Sequence, residues 1–134
     1  MSRPKQCRRI GSPPLMKGFK PFGIRLVDGE RIIIQYDEYE TIKLLDYDGL
    51  LQEQAAEKMN VSRPTLTRIY ESARQKIAIA LVEGKAILIE GGNVDFGQTW
   101  YRCRKCNKLI EGLENHKRCR DCGSFGDDEL LPIN

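Results

Sequence analysis

Residues 51–84 carry a spacing that few folds can satisfy. Ala56, Asn60, Leu66 and Ile69 fall where two helices that cross closely through a short turn need them. The first helix must hold a small residue at the crossing, and Ala56 is small. The turn needs a residue that tolerates positive φ, and Asn does so better than other non-glycine residues. Val61, Leu66 and Ile69 supply the branched apolar anchors of the second helix. Ser62 is its cap, and Pro64 is tolerated in the first turn because the amide it lacks would be unpaired there. Leu66, Ile69, Ala73, Ile77 and Ala80 or Leu81 recur at three-to-four spacing up to Gly84. That pattern predicts one long amphipathic helix closed by a glycine.

With those anchors inside, Ser62, Arg63, Thr67 and Arg68 face outward at the start of the helix. In a helix-turn-helix these are the positions that reach base edges. Arg63 and Arg68 suit bidentate bonding to guanine, about 1–3 kcal/mol of discrimination each. Ser62 and Thr65 suit phosphate, aided by the positive end of the helix dipole. Gln52 is a further backbone-contact candidate. Leu51 precedes it where a capping hydroxyl is common, so that helix is capped by Asp48 or frays. An αα-hairpin that only packs a core would show the same anchors.

Upstream, Asp37 is read as the cap of a first helix with Glu40 as its capping-box partner, and Asp48-Gly49 as its end. Residues 24–36 read as extended, with an Asp28-Gly29 hairpin turn. Residues 86–89 form a strand candidate able to pair with residues 32–35. The prolines Pro4, Pro13, Pro14 and Pro21 predict an arm without regular structure over residues 1–23. Residues 93–99 read as a linker.

Net charge is only +3, yet it is unevenly spread. Residues 1–31 hold eight bases against Asp28 and Glu30, and residues 37–60 hold seven acids against Lys43 and Lys58. Basic blocks around an acidic segment suit a polyanion ligand, although a solvated surface gives the same pattern. In the arm, Arg3, Lys5, Arg8 and Arg9 can follow a phosphate backbone or enter a minor groove; a solubilising tail is the alternative. Cys7 has no cysteine nearby and reads as a free thiol.

The blocks SRPKQCRRI, FKPFGI and LLQEQAAEKMNVSRPTLTRIYESARQKIAIALVEGKAILIEGG closely resemble a family of small prokaryotic proteins of unknown function predicted to bind DNA. The resemblance covers about residues 2–92. Its helix-turn-helix is similar to region four of sigma factors. It implies a transcription-factor-like role and base readout by Arg63, Pro64, Thr67 and Arg68. Leu51 departs from the sigma-like pattern.

Four of the five cysteines form two pairs, Cys103/Cys106 and Cys119/Cys122, twelve residues apart. Two CxxC knuckles, the second followed by Gly123, suit tetrahedral Zn²⁺; the ligand set alone also admits iron. The segment has few apolar residues and is expected to need the metal to fold. With four thiolates the site is closed, hence structural rather than catalytic. His116, between the knuckles, reads as a loop residue. The bases Arg102, Arg104, Lys105, Lys117, Arg118 and Arg120 suit phosphate or a solvated face around the metal.

The expectation is therefore a mainly α chain of winged-helix-related size. It comprises a basic arm (1–23), a helix-turn-helix domain with short β elements (24–92), a linker (93–99) and a small zinc-ribbon-like module (100–134). The expected function is sequence-specific binding of double-stranded DNA by a cytoplasmic transcriptional regulator acting as a homodimer. Two alternatives stay open: an adaptor docking on RNA polymerase or another protein through acidic residues 37–60, and an RNA-binding ribbon protein. No apolar run is long enough to span a membrane. With one His, no glycine-rich phosphate loop and carboxylates that follow helix faces, an enzyme is not expected.

Overall fold

The computed structural model describes residues 7–25, 30–103, 109–111, 118–119, 124–125 and 130–133. Three α-helices form its centre: α1 (Tyr36–Ile42), α2 (Gln52–Met59) and α3 (Arg63–Glu83). A π-helical turn, Lys43–Tyr47, extends α1. Around them lie ten short strands: β1 (Arg8–Arg9), β2 (Gly18–Phe19), β3 (Arg31–Ile34), β4 (Ala86–Ile89), β5 (Val94–Asp95), β6 (Trp100–Cys103), β7 (Leu109–Glu111), β8 (Arg118–Cys119), β9 (Ser124–Phe125) and β10 (Leu130–Pro132). Four small sheets result among the described residues. The expected mainly α class with an appended zinc ribbon is thereby corrected. All of these strands are two to four residues long, too short to show a period of two, and their pairing partners define them.

Strand β4 is the centre of the main sheet, in the order β2-β4-β3. It pairs in parallel with β3, Ile32 opposite Ile87 and Ile33 opposite Leu88. The helices α1 to α3 make the crossover that a parallel pair requires. The antiparallel β2–β4 pair sets Gly18 opposite Leu88 and Phe19 opposite Ile87. Only glycine fits there, since a Cβ on residue 18 would overlap the Ile87 carbonyl. Thus β3 joins the strand after α3, a pairing the sequence allowed. The Asp28-Gly29 turn lies outside the described residues.

The segment read as an irregular arm is tied into the fold. β1 pairs in parallel with β5, and Ile10 and Pro14 are buried. The segment read as a linker packs too: Phe96 is buried and meets Tyr36 edge-on at 5.2 Å. Arg102 is neither a phosphate-facing nor a solvated base. It is buried and donates from Nη1 to the Leu15 carbonyl and from Nη2 to the Pro14 carbonyl, each at 3.2 Å.

The core gathers Ile34, Tyr36, Leu44, Ala55, Ala56, Met59, Leu66 and Ile89 between the helices and the sheet. The N-cap of α1 lies two residues before the expected Asp37. Gln35 is the N-cap, and its amide donates to Glu38 Oε1 at 2.9 Å. Asp37, Glu38 and Glu40 are all buried. The acidic block 37–60 is therefore partly interior, with Asp46, Asp48, Glu53 and Glu57 left at the surface. Lys76 Nζ donates to Glu38 Oε1 at 2.7 Å and Ser72 Oγ to Glu38 Oε2 at 2.6 Å. This fastens α1 to the middle of α3. A buried carboxylate needs such partners to offset its lost hydration.

Candidate nucleic-acid interface

The turn between α2 and α3 is built as its residue types require. Asn60 ends α2 at φ 57°, ψ 45°, and is the one non-glycine residue with positive φ among those described. Its amide reaches the Ala56 and Glu57 carbonyls, closing the helix. Val61 returns to the Ala56 carbonyl at 3.0 Å. Ala56, Leu66 and Ile69 are buried at the crossing, so the two helices meet through the residues that the spacing singled out.

At the start of α3, Ser62 is the N-cap. Its Oγ accepts the Thr65 amide at 3.3 Å and donates to Thr65 Oγ1 at 2.9 Å. Arg68 Nη2 donates to Thr65 Oγ1 at 3.4 Å. Ser62, Thr65 and Arg68 thus form one hydrogen-bonded chain along the first turn. Ser62, Arg63, Pro64 and Arg68 are exposed. Arg63 Nη1 lies 3.3 Å from Glu53 Oε1, with both side chains mostly in solvent. Exposed pairs of this kind contribute little, so Arg63 can be drawn to a stronger acceptor at small cost.

Gln52 and Thr67 are engaged with each other. Thr67 Oγ1 donates to Gln52 Oε1 at 2.7 Å and lies 3.1 Å from the Arg63 carbonyl. Both are half-buried, and their bond clasps the start of α2 to the first turns of α3. Leu51 offers no side-chain cap to α2. Its amide instead donates to Gln54 Oε1 at 3.0 Å, which neither Asp48 capping nor fraying anticipates.

The basic arm divides. Arg3 and Lys5 lie outside the described residues. Arg8 turns inward, with Nη1 3.4 Å from Asp37 Oδ2. Burial pushes the Asp37 carboxyl up, and the Arg8 guanidinium opposes that shift. Arg9 remains exposed. It shares a small cavity with Lys43 of the π-turn and Lys58 of α2. No single segment signals this grouping, because its three cations come from three elements. Cys7 Sγ, exposed, donates to Asn93 Oδ1 at 3.0 Å.

Of the four paired cysteines, Cys103 is buried at the end of β6. Cys119 ends β8, and its side chain lies outside the described residues, as do Cys106, Cys122 and His116. Among the described residues no group of three His, Cys, Asp or Glu side chains is placed to hold a metal. Nor is any described helix long and apolar enough to cross a membrane.

The model of the family described as Protein of unknown function DUF134 matches residues 1–96, which takes in the arm, all three helices and the main sheet. The chain belongs to that family. A UPF0251 protein of Chloroherpeton thalassium is 44% identical over 97% of this DUF134 chain and 87% of its own length. One from Desulforudis audaxviator is 42% identical over 98% and 86%, and one from Halothermothrix orenii 39% identical over 96% and 100%. The similarity to these relatives runs through the cysteine-bearing segment that the DUF134 model leaves out. No solved structure matches this DUF134 chain at a significant level.

Proposed function

We propose that this protein binds double-stranded DNA sequence-specifically, as a transcriptional regulator, through a helix-turn-helix made of α2 and α3. The observation that carries this reading is the first turn of α3. There Arg63 and Arg68 are exposed on a helix start held rigid by the Asn60 turn, the Ser62 cap and the Thr67–Gln52 clasp. A helix start with two exposed guanidinium groups, held only by weak surface contacts, suits the major groove and bidentate readout of guanine. The Ser62–Thr65 end offers hydroxyls and backbone amides to a phosphate. Because one short reader covers few base pairs, the expected form on DNA is a homodimer on two half-sites.

In the same reading Cys103, Cys106, Cys119 and Cys122 hold a structural Zn²⁺. Cys103 and Cys119 each close a strand whose antiparallel partner begins a few residues later, β7 after β6 and β9 after β8. Four thiolates are a donor set that zinc prefers. The ion would brace the segment from β6 to β10 and leave base readout to α3.

Selection of bound fragments from a random DNA pool, with and without chelator, tests both parts. An enriched motif with regular half-site spacing is expected. Arg63→Ala with Arg68→Ala should then lose preference for that motif while Lys5→Ala mainly lowers the salt dependence. Full selectivity in the double variant would refute the assignment.

A further inference from the structure

The cavity shared by Arg9, Lys43 and Lys58 is also lined by Glu40 and Asp48, and encloses about 280 Å³. Its walls come from β1 and the two residues after it, from α1 with its π-turn, and from the last turn of α2. Glu40 is the unusual member. Its side chain is only 4% exposed, its Oε1 lies 3.9 Å from Lys43 Nζ, and its Oε2 has no hydrogen-bond partner. An orphaned buried carboxylate oxygen is costly. A π-helical turn is likewise a rare local geometry that recurs at functional sites. Lys43 and Leu44 line the cavity from within that turn, and Asp48 caps it. Lys58 and Arg9 add exposed cationic side chains to the lining.

We propose that this cavity binds a small carboxylate carrying an amine or hydroxyl donor on the adjacent carbon. The donor satisfies Glu40 Oε2, and the carboxylate meets Arg9 and Lys58. Two acids in the lining disfavour a bare anion, and three cations disfavour a metal ion. At about 280 Å³ the space is near the lower end of ligand pockets, which suits a small occupant. Lys58 lies two residues before Asn60, so the occupant touches both the N-terminal strand and the helix that leads into the reader.

Calorimetric titration of the full chain without DNA tests the site, and its outcome is independent of DNA binding. The probes are glycine, L-alanine, L-serine, L-threonine, L-aspartate, L-lactate and L-malate, with acetate and ethanolamine as single-group controls. At least one probe should bind with a sub-millimolar constant, and both controls at least tenfold more weakly. Glu40→Gln and Lys58→Ala should each weaken binding at least tenfold. Lys58 is exposed, so its variant keeps the test valid even if Glu40→Gln fails to fold. Silence across all probes, equal binding of a control, or an unchanged constant in Lys58→Ala would overturn the proposal.

Discussion

Residues 52–84 and the strands β1, β2 and β5 hold their shapes by different means. In the helical pair each determinant acts within a turn or two of itself: Asn60 on the Ala56 carbonyl, Ser62 on the Thr65 amide, Gly84 on the Ala80 carbonyl. In the strands each determinant acts across the chain. Gly18 makes room for the Ile87 carbonyl, Arg8 donates its amide to the Asn93 carbonyl at 3.0 Å, and Arg102 holds the carbonyls of Pro14 and Leu15. The helical pair is therefore a rigid unit assembled from local rules, while the edge strands depend on the rest of the molecule being in place. For the proposed DNA reader this division is useful. The surface that needs fixed geometry is the one least dependent on distant parts.

The largest effect should come from the point where the local unit meets the common core. Leu66 is fully buried beneath α2. Leu66→Ala removes three side-chain carbons and leaves a cavity, at about 3–4 kcal/mol. Denaturant titration should show that loss as a lowered midpoint with unchanged slope. A loss under about 1 kcal/mol would mean that the α2–α3 crossing is looser than the buried Ala56–Leu66–Ile69 contact implies.

Gly18→Ala attacks the other kind of determinant. The added methyl group must displace the Ile87 backbone, at about 1–3 kcal/mol by analogy with overpacked cores. The comparison predicts where the damage falls. Amide hydrogen exchange should quicken at Ile89, whose amide donates to the Lys17 carbonyl beside the β2–β4 pair, while α2 and the first turns of α3 stay protected. Uniform loss of protection would show that the helical pair is not the independent unit described above.

What the sequence made legible follows the same line. The extent of α3, its Ser62 cap, its Gly84 end and the Asn60 turn could be read because capping and positive φ are properties of single residues. That residues 86–89 could pair with residues 32–35 was legible as two short apolar runs, but the parallel direction and the register were not. Much of the rest was not. Asp37 looked like a cap because a capping box is a local pattern, but the chain enters α1 at Gln35, and burial of Asp37, Glu38 and Glu40 is set by α3 and β1. Arg8 read as a groove-binding base or part of a solubilising tail, and its contact with Asp37 was not foreseen. The helix mass drew the fold class toward mainly α because two-residue strands such as Arg8–Arg9 carry no periodic signal. Of the candidate interface, Arg63 and Arg68 were found from their places on α3. Gln52 and Thr67 were assigned to DNA, and the sequence did not reveal that they bond to each other.

A smaller effect separates the turn's conformation from its side chain. Asn60 sits in the left-handed region, which costs an ordinary residue about 1–2 kcal/mol. Asn60→Ala should therefore destabilise by about 1 kcal/mol, and Asn60→Gly should be nearly neutral. If both variants lost equally, the Asn side chain rather than its backbone would be holding the turn, and the local rule would need revision.

The smallest effect is a change of slope with pH, and it isolates a buried carboxylate of α1 that shares a cavity with Arg9 of β1 and Lys58 of α2. Burial pushes the Glu40 carboxyl above its ordinary value, against the opposing pull of Lys43 and of the Gly11 amide. A carboxyl raised in the folded state favours folding while it is protonated. That contribution is present below the ordinary carboxylate range and is lost as pH rises through the raised value. Glu40→Gln cannot ionise, so the melting temperature of the parent should fall relative to the variant across that window. Asp37 is raised for the same reason and titrates in both proteins, so the difference between the two curves reports Glu40 alone. Parallel curves would mean that Lys43 compensates the buried charge fully. Glu40 would then tie β1 to α1 as an ordinary ion pair, with no pH dependence of its own.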